Sequence, residues 1–158
     1  MQTNNPSEMD IRLLNENEEA PYALLLDADP SKEMVDRYLA KSEVFVAMAN
    51  KEIIGVYVLC AVDKHCTEIK NIAVAEGFQG KGIGKRMLED AFEKARQRGY
   101  KEIIIGTSTT SIGPLYLYQK AGFEVDHLLK NFFTDHYPQP LYENGIRCKH
   151  MIVLKKDL

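Results

Sequence analysis

One stretch constrains this chain more than any other. Glu43–Ala49 and Ile53–Val62 are rich in Val, Ile and Tyr, and Thr67–Val74 continues in the same texture. Gln79-Gly80-Lys81-Gly82-Ile83-Gly84-Lys85 follows, with a long amphipathic segment directly behind it. β-branched and aromatic residues favour half-buried strands. Asn50-Lys51 suits a tight turn, so the three runs are expected to form a meander. Behind the glycines, Ile83, Met87, Leu88, Ala91, Phe92 and Ala95 share one helical face, and Lys85, Arg86, Glu89, Asp90, Glu93, Lys94 and Arg96 fill the other. Gly99 is placed to end that helix. Glycines admit backbone conformations and close approaches that a Cβ blocks. The helix start beyond them offers unpaired N–H groups and a positive dipole end. A strand, a glycine loop and a helix in this order make a seat for phosphate oxygens, and Lys81 and Lys85 add positive charge beside it.

Two familiar phosphate-binding templates fail on this loop. A P-loop requires glycine, four residues, then Gly-Lys-Ser/Thr; here Gln79 stands at the required glycine and Arg86 at the hydroxyl position. A dinucleotide fingerprint requires G-x-G-x-x-G; from Gly80 the third glycine falls on Lys85, and from Gly82 on Met87. A merely flexible turn would account for one glycine, but not for three at alternate positions flanked by lysines.

The rest of the chain supplies the frame. Its 158 residues suit one domain, 1–158, with residues 1–9 as a loose leader. A 45% hydrophobic content supports a core, while 20 basic against 23 acidic residues leave no basic excess for nucleic acid. The longest apolar runs are too short to span a membrane. Three cysteines without framework spacing, Cys60, Cys66 and Cys148, suggest a reducing cytoplasm. His65, Cys66, Cys148 and His150 lack zinc-ligand spacing, so no metal is expected. A strand is expected over Asp10–Leu14 and a short helix over Tyr22–Asp27. Asp29-Pro30 reads as the start of a second helix striped by Met34, Val35, Tyr38 and Leu39. Ile103–Ile105 is a short buried strand, and a loop from Thr107 to Gly113 precedes a helix with Pro114 in its first turn and Gly122 at its end. Phe123–Phe133 is expected to be one long strand, Thr134–Gly145 a loop turning at Asn144-Gly145, and Ile146–Leu154 the last strand. The fold class is α/β, a mixed sheet flanked by helices.

On these residues the chain resembles the GNAT superfamily of N-acetyltransferases, as a small single-domain member of bacterial type. The family's Gln/Arg-x-x-Gly-x-Gly/Ala motif is matched by Gln79–Gly84, its splayed central strand by Glu68–Val74, and its aromatic helix ending in Gly-Phe by Leu117–Phe123. The resemblance implies a central, mostly antiparallel splayed sheet and acetyl-CoA or coenzyme A as co-substrate. The backbone N–H groups of Gly80, Lys81, Gly82, Ile83, Gly84 and Lys85 would hold the pyrophosphate, with Gln79 opening the motif. The backbone of Ile72, Ala73 and Val74 would pair with the pantetheine arm and point an N–H at the thioester oxygen, where negative charge develops. Ser111 stands near the place of a cofactor-contacting asparagine.

Two side chains are expected to carry the chemistry. An amine must lose a proton before it attacks, and a carboxylate can receive it directly or through water. Glu68 matches the family's glutamate on the central strand; the alternative is a surface residue paired with a lysine. Tyr118 matches the family's phenol, which protonates the departing thiolate, with a place in the core as its alternative; Tyr116 is expected to be a core aromatic on the same helix. The segment Asn131–Gly145 is too aromatic for a plain solvated loop, and loops on a rigid scaffold are common binding elements. Phe133, Tyr137 and Tyr142 are expected to wall an acceptor pocket, with Asp135 and Glu143 drawing in a cationic amine; packing onto the core or a dimer interface is the alternative. The resemblance implies as acceptor a primary amine of a small molecule or protein, attacking directly in a ternary complex. A non-catalytic acetyl-CoA sensor on the same fold is the competing function. A homodimer is implied by the resemblance only.

Overall fold

The computed structural model describes residues 8–158. Its centre is a seven-stranded sheet. β1 (Asp10–Leu13), β2 (Ser42–Ala49), β3 (Glu52–Ala61) and β4 (Cys66–Val74) lie side by side in that order, each antiparallel to the next. β5 (Glu102–Ser108) lies parallel to β4, and β9 (Met151–Asp157) then joins β5 to β6 (Glu124–Leu129) in antiparallel pairs. The β2–β3 hairpin turns on Asn50 and Lys51, both at positive φ (51° and 65°), as a two-residue hairpin turn of matching twist requires.

Helices cover both faces. On one, α1 (Tyr22–Ala28) and α2 (Lys32–Leu39) bury Leu25, Val35 and Tyr38 against Val46, Val56 and Val58. On the other, α3 (Ile83–Gln97) sinks the stripe from Ile83 to Ala95 onto the sheet, and α4 (Ile112–Lys120) adds Tyr118. This is a mixed α/β sandwich with one core layer on each side of the sheet, as expected from the sequence.

β4 and β5 pair only from Cys66↔Glu102 to Ile69↔Ile105. Lys70 is an extra residue against β3, between the pairs Ile69↔Leu59 and Asn71↔Val58. A bulge bends its strand, and from this point β4 keeps β3 but leaves β5. The sheet opens into a wedge whose wall is Asn71–Val74.

Several expected elements are corrected. Residues 1–7 of the leader lie outside the described residues, but Met9 is 8% exposed and packs in the core, so the loose stretch does not extend to residue 9. α2 is capped by Ser31, whose side chain accepts from Met34 N–H, while Asp29 ends α1. The long strand from Phe123 stops at Leu129. Asn131 turns the chain at φ 58°, its N–H held by His150 Nδ1 at 2.9 Å, and Phe132–His136 becomes a short helix, α5. The last strand is also broken: β7 (Tyr142–Glu143) and β8 (Ile146–Arg147) form a small hairpin of their own before β9 begins. Tyr116 is 65% exposed rather than in the core, with Lys120 Nζ over its ring.

Candidate active site

The wedge between β4 and β5 leads into a groove of about 520 Å³. Its floor is Ile72, Ala73 and Val74, one wall is Gln79 to Lys85, and the other is Pro114, Leu117 and Tyr118 of α4. The glycines answer different needs. Gly80 and Gly82 hold φ of +73° and +80°, which an L side chain adopts only with strain, and Gly82 is the N-cap of α3. Gly84 has ordinary helical backbone; a Cβ there would stand 3.5 Å from Leu117. The first N–H of α3 to bond back is that of Arg86, to Gly82 O at 3.1 Å, so those of Ile83, Gly84 and Lys85 have no partner a turn behind. Gln79 secures the frame by donating from Nε2 to Val74 O at 3.0 Å. Beyond Ile69, the edge of β4 that faces the wedge has no strand beside it among the described residues.

A second cleft, of about 290 Å³, adjoins the groove. The two share Asp27, Ala28, Ile72, Pro114 and Tyr118, so Tyr118 stands where they meet. Its ring is buried against Phe123, edge to face at 6.1 Å, and its hydroxyl has no hydrogen-bond partner among the described residues. Burial, with the nearby Glu143 charge adding to it, pushes its pKa up to about 12, so the phenol stays protonated across the neutral range. A buried, protonated phenol with its hydroxyl uncommitted is a proton donor available to whatever occupies the junction.

The second cleft gathers Phe133, Tyr137 and Glu143 of the expected acceptor wall, together with Ser111. Asp135 and Tyr142 are exposed and do not line it. Ser111 therefore lies in this cleft and not in the groove, and its hydroxyl donates to the Glu143 carboxylate. The reason is local. Ser111 occupies the N-cap of α4, where a serine ordinarily accepts from the N2 or N3 backbone N–H. N3 is Pro114, which has none, and Ser111 makes no capping bond.

Glu68 stands apart from Tyr118. Its carboxylate pairs with Lys70 Nζ at 3.1 Å in a third cleft, which touches the second along Asp29, Ile69, Lys70, Gly106, Tyr137 and Met151. The lysine pairing weighed as the alternative is thus present.

Sequence reasoning missed the contribution of α1. Asp27 lines both clefts, and Asp29 is the hub of a polar network. Asp29 accepts from Tyr137 Oη at 2.8 Å, Tyr38 Oη at 3.3 Å and Ser31 N at 3.2 Å. Asn71 Nδ2 in turn donates to Tyr38 Oη and to Leu25 O, both at 2.9 Å. The network ties β4, α1, α2 and α5 together around the second cleft. A signal existed in the sequence: Asp27 and Asp29 end a helix without a basic residue in its last turn, where the dipole disfavours negative charge. Carboxylates placed against a local rule point to a use elsewhere.

Comparison with known proteins agrees with this geometry. The acetyltransferase (GNAT) family model matches residues 11–123. The uncharacterized N-acetyltransferase YvbK of Bacillus subtilis (strain 168) is 46% identical over 98% of this chain and 99% of its own. A GNAT family acetyltransferase from Elizabethkingia anophelis, solved with acetyl-CoA bound, superposes with a TM-score of 0.94 at 51% identity, covering 95% of this chain and 98% of that one. An IAA acetyltransferase from Bacillus cereus ATCC 14579 gives 0.91 at 41%, covering 95% and 99%. With the glycine loop, the splayed strand and the aromatic helix all in place, the chain belongs to the acetyltransferase (GNAT) family of N-acetyltransferases.

Proposed function

We propose that this acetyl-CoA-dependent N-acetyltransferase seats its donor in the groove and a primary amine in the second cleft, and joins them in a ternary complex at Tyr118. The observation that carries this reading is the junction itself: two clefts of different character share a wall at Ile72 and Tyr118. The groove suits coenzyme A. Positive-φ glycines and unpartnered N–H groups of α3 receive the pyrophosphate. The free edge of β4 at Ile72–Val74 supplies strand-like hydrogen bonds to the pantetheine amides, and an N–H to the thioester oxygen during attack. The acetyl-CoA complex of the Elizabethkingia relative, at 51% identity, supports the same donor here.

The second cleft suits a cationic amine with an apolar body. Asp27 and Glu143 bring negative charge, and Phe133, Tyr137, Leu141 and Met151 bring apolar surface. Tyr118 protonates the thiolate as the C–S bond breaks. Glu68, the base expected from the sequence, does not line this cleft and lies across the wall shared with the third one.

The test has two parts. Saturation with acetyl-CoA at about 100 times Kd should stabilise the fold by about 2.7 kcal/mol, raising Tm by roughly 5–10 °C, while NAD and ATP give no shift. Thiol release should then depend on an added amine. No shift with acetyl-CoA, or no thiol release across a broad amine panel, would refute the reading.

A further inference from the structure

We infer that Glu143, and not Glu68, is the group that takes the proton from the attacking amine, and that the β7–β8 hairpin exists to deliver it. This rests on the reading of the second cleft as the acceptor site and deepens it.

The hairpin is built for position rather than for core. Asn144 and Gly145 turn it at φ 53° and 73°, a two-residue turn that fixes the register of Tyr142↔Arg147 and Glu143↔Ile146. Its exposed Tyr142 and Ile146 contribute little burial. What holds it is a set of polar contacts to the loop before α4. Asn144 Nδ2 donates to Thr110 O at 2.8 Å, and Ser111 Oγ donates to Glu143. Just beyond β8, buried Cys148 lies with Sγ 3.2 Å from Thr110 Oγ1 and donates its N–H to Leu141 O at 2.8 Å. Thr110 and Ser111 are themselves buried, so the carboxylate is anchored on a fixed base.

The same loop carries α4 and hence Tyr118. Glu143 and Tyr118 line one cleft, whereas Glu68 does not line it and is ion-paired with Lys70 of the wall shared with the third cleft. Ser111 satisfies part of one carboxylate oxygen and leaves further acceptor capacity for a substrate N–H. The Glu143 charge also favours the protonated form of Tyr118, which a resting acid needs. Base and acid are thus set against the same space from the two sides of one loop.

The proton accounting closes. Of the three protons on the ammonium, one passes to the Glu143 carboxylate and on to solvent, freeing the lone pair that forms the C–N bond. A second leaves nitrogen as the C–S bond breaks and restores the proton that Tyr118 gives to the thiolate sulfur. The third stays on the amide. The products are an acetamide, a free thiol and one released proton.

The test uses Glu143→Gln, Glu143→Asp and Glu68→Gln in the full chain, with the best primary amine from a panel and saturating acetyl-CoA. For Glu143→Gln we expect kcat at saturating amine to fall by roughly 10²–10⁴-fold at neutral pH. The deficit should shrink by about tenfold per pH unit as more amine enters neutral. Glu143→Asp should recover part of the rate, and Glu68→Gln should stay within a few-fold of wild type. An acetyl-CoA-induced Tm rise in Glu143→Gln equal to wild type shows that the donor site is intact. A raised amine KM with unchanged kcat would overturn the proposal and leave Glu143 a binding charge only. A kcat loss in Glu68→Gln in place of Glu143→Gln would assign the base to Glu68. A wild-type protein that releases no thiol with any amine would instead refute the acetyl-transfer reading beneath it.

Discussion

Tyr118→Phe separates chemistry from structure at this site, because it deletes an oxygen that the fold does not use. The ring is buried and keeps its edge contact with Phe123 in the variant, while the hydroxyl it loses has no hydrogen-bond partner among the described residues. Removing a phenolic hydroxyl normally costs a hydrogen bond worth about 1 kcal/mol. Here that loss is absent, and stability at neutral pH should change by less than about 0.5 kcal/mol. The chemical step should suffer far more: loss of a general acid lowers kcat by roughly 10²–10⁴-fold, equivalent to about 3–5 kcal/mol of transition-state stabilisation. The acetyl-CoA Tm shift should persist. High pH supplies an independent readout. The folded pKa of Tyr118 is raised, chiefly by burial, to about 12 from an ordinary value of 10.0. Its contribution to stability is therefore whole below pH 10 and is lost as pH climbs through the folded value. By pH 11 the wild type should have lost about 1.4 kcal/mol that Tyr118→Phe does not lose. Urea titrations of both proteins at pH 8 and pH 11, paired with steady-state kinetics, measure all of these quantities. An unchanged kcat at saturating substrates would refute the acid role. Parallel pH dependences of stability would refute the account of the buried phenol.

Two further outcomes follow from the same geometry. Gly82→Ala meets no atom within 4 Å but forces φ of +80° on an L residue, so it should cost about 1 kcal/mol in stability and weaken acetyl-CoA binding by roughly tenfold as the start of α3 tilts; calorimetric titration with acetyl-CoA checks it. Asp29→Ala leaves the hydroxyls of Tyr38 and Tyr137 and the N–H of Ser31 without their acceptor; we expect a loss of about 2–3 kcal/mol, a Tm lower by roughly 4–12 °C, a raised amine KM and an unchanged acetyl-CoA shift.

The donor half of the site was legible in the sequence because its requirements fall on the backbone. A positive φ calls for glycine, a phosphate seat calls for a helix start, and both write themselves into Gly80, Gly82 and the amphipathic run behind them. The acceptor half was legible only in part, through Phe133, Tyr137 and Glu143, for three physical reasons. Asp27 and Asp29 lie about a hundred residues from Tyr137, and no local pattern announces that a helix end will meet a distant loop. Phe132 and Phe133 favour strands by propensity, yet Asn131 in the left-handed region turns the chain and starts α5 instead. The sequence shows the aromatics of that segment but not their directions: Tyr137 turns inward to Asp29, while Tyr142 on the hairpin stays 65% exposed. Glu68 shows the same limit. Its strand was placed correctly, but on β4 a neighbouring Lys70 decides what its carboxylate does.

The bulge at Lys70 connects these observations. A β4 in continuous register with both neighbours would leave no free edge at Ile72–Val74 and no wedge for Tyr118 to close. Opening the sheet also exposes an interior that must be refilled, and the chain does so with different materials on the two sides. Toward the donor, the filling is backbone: glycines, the start of α3 and the unpaired edge of β4. Toward the acceptor, it is side chains carried on α1, α5 and the β7–β8 hairpin, cross-tied through Asp29 and Ser111. Backbone features tolerate most surrounding substitutions, whereas a wall of side chains changes its preference with each one. On the proposed function, the choice of amine would therefore belong to the segment from Asn131 to Cys148 and the end of α1, and the choice of donor to the stretch from Ile72 to Lys85.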